Sequence, residues 1–251
     1  NVKFADHWLA PHPGTDAAVA QAMTHVILQE YYENQPNDMF INYAKQYSDM
    51  PFVIMLDEDE NGYKAGRFLR ASDLGMSGEN NEWKPVIQDK LSQQLLVPNG
   101  TMGQRWEEGK KWNLKLETED GTPIDPMLSM VESDYHVETI QFPYFDSSGD
   151  GIFERPIATR TIQLANGEEV KIATVYDLMT SQYGVQRFEH ELEAISYDDA
   201  SSKYTPAWQE QITGIKKELV TKVAKEFAQN AIDTGGRSMI IMGAGINHWF
   251  N

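Results

Sequence analysis

The chain has 251 residues, of which 38 are Asp or Glu and 21 are Lys or Arg, so its formal net charge at pH 7 is −17. It contains no cysteine, which excludes disulfide bonds, thiolate zinc sites and cysteine-ligated iron–sulfur clusters within these residues. The acidity argues against nucleic acid, whose phosphates require basic patches, and no stretch reaches the roughly 18 apolar residues of a membrane span.

The first part of the chain predicts alternating strands and helices. Residues 1–10 predict a strand with its flank, which ends in the turn residues 11–14. Apolar residues at helical spacing predict a helix over residues 17–32, with Thr15 or Asp16 as its N-cap. A second helix and a buried strand are predicted for residues 38–46 and 52–56.

The middle of the chain is rich in Gly, Pro and Asn, which punctuate several short β-like pieces. Ala165-Asn166-Gly167 lies between two of these pieces and predicts a hairpin. The β-like pieces are residues 112–116, 137–142, 159–164 and 170–173. We therefore expect a loop-rich β insertion here.

Helical order returns in the last part of the chain. Helices are predicted for residues 175–183, 206–212 and 216–230, the last of which is strongly amphipathic. Residues 238–242 predict a buried strand, and Gly243-Ala244-Gly245 follows at once. A helix, then a strand, then a glycine turn is typical of an α/β sheet.

These patterns predict an α/β fold in three parts. Residues 1–60 form an α/β segment with the first candidate turn, residues 61–173 the insertion, and residues 174–251 an α/β segment that ends in the second turn. The chain begins with Asn1 and stops just after a glycine turn, so we expect it to be an internal piece of a longer polypeptide.

The first candidate site is the turn Gly14-Thr15-Asp16 at a predicted strand-to-helix junction. Helix N-termini present free N–H groups to anions, and an Asp beside such a turn can accept hydrogen bonds from a guanine edge or a ribose. The alternative is a plain helix cap.

The second candidate site is the turn that contains Gly243, Gly245, Asn247 and His248. It follows a predicted strand, and binding sites in open α/β sheets lie at the carboxyl ends of strands. The alternative is a tight turn without a ligand.

Metal-binding patterns are weak. Residues 146–151 resemble the start of a calcium loop, but Ile157 stands at the twelfth position, where a bidentate Glu is needed, so a surface turn is favoured. We expect the histidines outside the second turn to serve packing or the surface, since they lack metal-ligand spacing: His7, His12, His25, His136 and His190.

Several stretches resemble the catalytic alpha subunits of respiratory membrane-bound nitrate reductases, within the dimethyl-sulfoxide-reductase family of molybdopterin oxidoreductases. They are WLAP (8–11), GTDAA (14–18), GRFLRASD (66–73), VPNG (97–100), YDD (197–199), YTPAW (204–208), EQITG (210–214), GRSMII (236–241) and GAGINHW (243–249). The resemblance spans essentially the whole chain and implies parts of two Rossmann-like α/β domains, with the insertion between them.

The resemblance also implies a cofactor, molybdenum-bis(molybdopterin guanine dinucleotide). Gly14, Thr15 and Asp16 would meet a guanosine end, and Gly243 and Gly245 would lie against the pterin. His248 would donate a hydrogen bond to an oxo group or to nitrate, and Asn247 would orient substrate or pterin. The family's metal-ligating Asp and its [4Fe–4S] ligands lie upstream, so no metal ligand is expected in this chain, which alone should be inactive.

The activity implied for the parent enzyme is reduction of nitrate to nitrite in anaerobic respiration. Electrons would arrive through an iron–sulfur beta subunit and a membrane cytochrome b subunit, at the cytoplasmic face of the cell membrane or, in some archaeal relatives, facing outward. Three alternatives stay open: nitrite oxidation or reduction of chlorate or selenate in the same family, a nucleotide- or calcium-binding module without redox activity, and a structural domain of a large complex.

Overall fold

A computed structural model gives the fold of the chain. It describes residues 2–60, 62–100, 115–146, 149–185, 187, 195–241 and 243. The described residues divide into two compact units: residues 1–41 with 183–251, and residues 42–182. The domain bounds expected from the sequence, 1–60, 61–173 and 174–251, stay a prediction, as does the Rossmann-like character of the outer segments.

The secondary structure mixes helices and strands, which confirms the predicted α/β class. The helices are α1 (Asp16–Leu28), α2 (Asp38–Tyr47), α3 (Val175–Gln182), α4 (Pro206–Thr213) and α5 (Lys217–Thr234). The strands are β1 (Val53–Asp59), β2 (Gly62–Phe68), β3 (Ile87–Gln88), β4 (Leu95–Leu96), β5 (His136–Asp146), β6 (Gly149–Gln163) and β7 (Glu169–Thr174). Short 3₁₀ turns cover Val2–Phe4, Asn81–Trp83 and Met130–Glu132, and a π-helical stretch, Gln29–Asn34, extends α1.

Residues 42–182 are built on a closed sheet in the order β1-β2-β5-β6-β7, with β1 also paired to β7. Strands β5 and β6 pair antiparallel along their length, and β2 pairs with β5 in parallel. The side chains that fill this sheet are apolar and buried: Leu56, Ile140, Phe142, Ile157 and Ala173. Burial of this apolar surface is what holds the strands together.

A buried carboxylate fixes the start of α3 to this sheet. Asp177 is fully buried and accepts hydrogen bonds from Ser129 Oγ at 2.6 Å and from the Met130 N–H at 2.9 Å. Its own N–H donates to Thr174 Oγ1 at 3.0 Å. Because a buried carboxylate needs such partners, this arrangement specifies how α3 begins.

Helices α1, α4 and α5 pack together in the unit formed by residues 1–41 and 183–251. Its small core contains Ala22, Ile215 and Val220, flanked by Leu9, Val19, Met23 and Leu219. Helix α4 begins with Thr205, whose Oγ1 accepts from the Trp208 N–H at 3.1 Å, and Gly214 ends it with φ of +76°. Both signals were visible in the sequence, because Pro206 suits a first helical turn and glycine suits a left-handed end.

Two of the predicted strands are wrong. Residues 2–10 contain only the 3₁₀ turn Val2–Phe4 and otherwise irregular backbone. Residues 238–241 lie outside any strand, with Met239 76% and Ile241 82% exposed, and residue 242 lies outside the described residues. An apolar run indicates which side chains favour burial, but a strand also needs a neighbour that pairs with its backbone.

The remaining predicted elements agree with the structure, apart from the β-like piece at residues 112–116. Its residues 112–114 lie outside the described residues, and residues 115–116 are not in a strand. Within the part of the chain that is described, no helix combines the length and apolar character that crossing a membrane would require.

Candidate functional site

The turn that leads into α1 is closed by the backbone carbonyl of His12. This oxygen accepts from the Thr15 N–H at 3.1 Å and from the Thr15 hydroxyl at 2.7 Å. The bond from the hydroxyl corrects the prediction of a side-chain cap: Thr15 occupies the N-cap position, but its hydroxyl does not bond to a helix N–H. A threonine hydroxyl has one proton to donate, and the turn places the His12 carbonyl where it accepts that proton.

Gly14 leaves the backbone of this turn accessible. Its φ is +83°, a left-handed conformation that glycine adopts without steric cost, and a Cβ placed on it would meet no atom within 4 Å. Asp16 follows as the first residue of α1 and is exposed to solvent rather than acting as the cap. A ligand can therefore approach both the backbone at Gly14 and the carboxylate of Asp16.

The helix behind the turn is firmly held. Ala22 and Val26 are fully buried, and Ala18 is 6% exposed. His25 is also fully buried, and its Nδ1 donates to the Tyr183 carbonyl at 2.6 Å. Since these side chains fix α1, the N–H groups of its first turn have a defined position, and their partial positive charge favours an anion or a polar acceptor.

The second predicted turn is described only at its first residue. Gly243 is exposed, and a Cβ on it would meet no atom within 4 Å. The other predicted residues of this turn, Gly245, Asn247 and His248, lie outside the described residues. Gly14 and Gly243 belong to the same compact unit, but whether the two turns bind one cofactor stays a prediction.

Sequence reasoning missed a polar cluster beside α1. Glu30 accepts from the Tyr197 hydroxyl at 2.9 Å and from Lys225 Nζ at 2.6 Å. Burial alone would raise the pKa of Glu30, but the hydrogen bonds from Lys225 and Tyr197 hold it below its usual value. Burial also raises the pKa of Tyr197, with the neighbouring Glu30 carboxylate adding to the rise. The cluster ties the segment around Tyr197 to α1 and α5.

The predicted surface turn at residues 146–151 lies at the end of the β5–β6 hairpin. Asp146 pairs with Gly149, and residues 147–148 lie outside the described residues. Ile157, where a calcium loop needs its bidentate Glu, is 1% exposed in the core of the sheet. Among the described residues, no group of three or more His, Asp or Glu side chains is arranged to hold a metal ion.

The similarity of the whole sequence to known proteins identifies the class to which this chain belongs. Residues 1–251 match the family described as Molybdopterin oxidoreductase, and the chain is therefore a member of that family.

The relatives are considerably longer than this chain. It is 52% identical over 250 residues to the nitrate reductase alpha chain of Bacillus subtilis, an alignment that covers 99% of this chain and 20% of that protein. It is 42% identical over 263 residues to the respiratory nitrate reductase 1 alpha chain of Escherichia coli, covering 99% of this chain and 21% of the relative. A nitrate reductase alpha subunit of Mycobacterium tuberculosis is 41% identical over 259 residues, an alignment that covers 100% of this chain and 20% of that protein. The chain thus spans about a fifth of the length of these relatives.

Proposed function

We propose that this chain is a segment of the catalytic alpha subunit of a molybdenum-dependent nitrate reductase. The observation that carries the proposal is the 52% identity, over 99% of the chain, to a protein named as a nitrate reductase alpha chain. An equally complete alignment at 42% identity to a second such protein supports it. The activity of the whole protein would be two-electron reduction of nitrate to nitrite in anaerobic respiration.

The cofactor that we propose is molybdenum-bis(molybdopterin guanine dinucleotide), in keeping with the family of the chain. The residues of the first turn fit the guanosine end of such a group, because Gly14 leaves the backbone accessible and Asp16 presents an exposed carboxylate. A carboxylate only accepts hydrogen bonds, and a guanine edge donates two, so their chemistry is complementary. When bound, the cofactor supplies the oxygen-atom transfer and electron chemistry that no side chain provides.

The chain's own residues would bind and orient this cofactor. Gly14, Thr15 and Asp16 would hold one guanosine end at the start of α1, while Gly243 and Gly245 would let the pterin approach the backbone. His248 would donate a hydrogen bond toward nitrate, and Asn247 would orient nitrate or the pterin. None of these residues is proposed as a metal ligand, since the resemblance to nitrate reductase alpha subunits implies an Asp ligand outside this chain.

The partners in this proposal are the other parts of an electron-transfer complex. A [4Fe–4S] cluster of the same polypeptide, an iron–sulfur beta subunit and a membrane cytochrome b subunit would deliver electrons. The complex would stand at the cytoplasmic face of the cell membrane, and an outward-facing complex is the alternative. The absence of cysteine here agrees with the cluster ligands lying elsewhere in the polypeptide.

The full-length protein, purified with its partner subunits, tests this function. Molybdenum and guanine nucleotide are measured per polypeptide, followed by nitrate reduction with a reduced dye and nitrite oxidation with an oxidant. The proposal expects both cofactor components and faster nitrate reduction. Faster nitrite oxidation would point to a nitrite oxidoreductase, and preference for chlorate or selenate to another oxyanion reductase. Absence of molybdenum and pterin would instead favour a binding module or a structural domain.

A further inference from the structure

Four hydrogen bonds converge on His12, although its side chain is exposed. Two of them close the turn through the His12 carbonyl, as described above. The other two run to the end of α4: the His12 N–H donates to the Thr213 carbonyl at 3.0 Å, and His12 Nδ1 donates to the Ile212 carbonyl at 3.1 Å. His12 therefore links the turn before α1 to the C-terminus of α4.

The carbonyls of Ile212 and Thr213, which accept from His12, would otherwise lack a hydrogen-bond donor from within the helix. The last four C=O groups of a helix have no partner within the helix, and they carry the negative end of its dipole. Residues 212 and 213 lie in the last turn of α4, so the two N–H groups of His12 satisfy acceptors that α4 leaves open. These bonds thus stabilise the end of α4 and at the same time fix the backbone of His12.

The end of α4 is itself a rigid support. Gln209 and Thr213 are fully buried, and the Thr213 hydroxyl donates to Gln209 Oε1 at 2.7 Å. Gln209 Nε2 donates to the Ile215 carbonyl at 2.8 Å, and the Ile215 N–H donates to Thr213 Oγ1 at 3.1 Å. A fully bonded buried network of this kind has little freedom to move.

Gly214 leaves the space that the His12 ring occupies. A Cβ on Gly214 would lie 3.1 Å from both Cε1 and Nε2 of His12, and its φ of +76° already favours glycine. Gly235 offers a matched comparison, because it also ends a helix, has φ of +66°, and has no atom within 4 Å of a Cβ position. An alanine at either glycine strains the backbone, but only the one at position 214 pushes on His12.

We propose that His12 is a positioning residue, which holds the turn Gly14-Thr15-Asp16 against the end of α4 in the conformation that receives the guanosine end of the cofactor. This proposal rests on the proposed function for the identity of the ligand. The hydroxyl of Thr15 is engaged by the His12 carbonyl, so the position of His12 also determines where Gly14 and Asp16 lie.

The test uses the full-length protein, produced with its partner subunits, and four variants: His12→Ala, His12→Asn, Gly214→Ala and Gly235→Ala. The first readout is guanosine monophosphate released by acid hydrolysis, per polypeptide. The second is hydrogen exchange of the amides of residues 14–18 in cofactor-free protein. His12→Asn serves as rescue, because its amide N–H can stand in for Nδ1–H.

We expect His12→Ala and Gly214→Ala to lower nucleotide content and to speed exchange by ~5-fold or more, as the loss of one or two hydrogen bonds implies. His12→Asn and Gly235→Ala should stay within about twofold of wild type. Wild-type nucleotide content and exchange in His12→Ala would overturn the role of His12. A wild-type protein without guanine nucleotide would overturn the proposed ligand instead, while the exchange rates would still decide whether His12 anchors the turn.

Discussion

The hydroxyl of Thr15 donates to the carbonyl oxygen of His12, 2.7 Å away, so the residue at the N-cap position of α1 closes a turn rather than capping its helix. This relationship has a functional consequence, because a side-chain cap would compete with a ligand for the first N–H groups of α1. The Ala18 N–H is bonded to the Thr15 carbonyl at 3.1 Å, so the N–H groups of residues 16 and 17 remain to face a ligand beside the exposed carboxylate of Asp16.

The role of Asp16 can be separated from its effect on the helix. Asp16→Asn should reduce the guanine nucleotide content of the full-length protein several-fold, because an amide presents a donor where a guanine edge needs two acceptors. Its effect on α1 through the helix dipole should be only about 0.3 to 1 kcal/mol. Nucleotide analysis and hydrogen exchange of α1 measure the two effects.

Asp38 provides the control for that experiment. It is likewise an exposed aspartate at the first position of a helix, α2. Asp38→Asn should therefore change helix stability by a similar amount and leave nucleotide content unchanged. Equal nucleotide content in both variants would mean that Asp16 acts only on its helix.

The Tyr197–Glu30 bond should contribute measurably to stability. Tyr197→Phe removes a hydrogen bond to a charged acceptor, which typically costs about 1.5 to 3 kcal/mol. Hydrogen exchange of the α1 amides should speed accordingly. Tyr43→Phe, at a side chain that is 61% exposed, is the control and should leave these amides unchanged. The same exchange in both variants would show that the bond contributes nothing.

The Glu30 cluster also predicts a pH dependence. Its pKa in the folded chain lies below the usual 4.5, so the ionised form is stabilised by folding. The resulting stability is fully present above pH ~4.5 and is lost as the pH falls further, through the folded pKa. Glu30→Gln should flatten the acid side of a profile of stability against pH. Parallel acid limbs for wild type and Glu30→Gln would contradict this prediction.

The proposed role of His248 predicts an effect on the rate of nitrate reduction. His248→Ala in the full enzyme should lower the rate of nitrate reduction while molybdenum content stays nearly the same, because the side chain is proposed to contact substrate rather than to hold the cofactor. Dye-linked nitrate reduction and metal analysis on the same preparation provide the two readouts. Unchanged turnover would remove His248 from the site.

The sequence predicted those elements whose signals are local. Helix α4 has its cap at Thr205, its first-turn Pro206 and its terminal Gly214 in the chain itself, and its predicted bounds differ from the structure by one residue. The sequence does not show whether the Thr15 hydroxyl bonds to the His12 carbonyl or caps α1, because that depends on the backbone conformation of the turn. The exposure of Ile241 cannot be predicted either, because burial depends on a partner strand that periodicity does not identify.

In the candidate site, too, local features can be predicted from the sequence, whereas features that depend on tertiary packing cannot. Gly14 and Asp16 can be proposed from the sequence because a glycine before a helix start is a local pattern. The structure shows both residues accessible, and their role in binding stays a prediction. The sequence predicts a packing or surface role for His12, because nothing in its spacing reveals that Ile212 and Thr213 end a helix beside it. Contacts between residues 200 positions apart depend on tertiary packing, which a single sequence does not display.

A structure of the full-length enzyme with its cofactor bound tests the proposed role of the turn before α1 most directly. In that structure the edge of one guanine base should lie within hydrogen-bonding distance of the Asp16 carboxylate, and the adjoining chain of the cofactor should pass Gly14. A molybdenum cofactor whose guanosine ends both lie away from the start of α1, with solvent at Asp16, would contradict it.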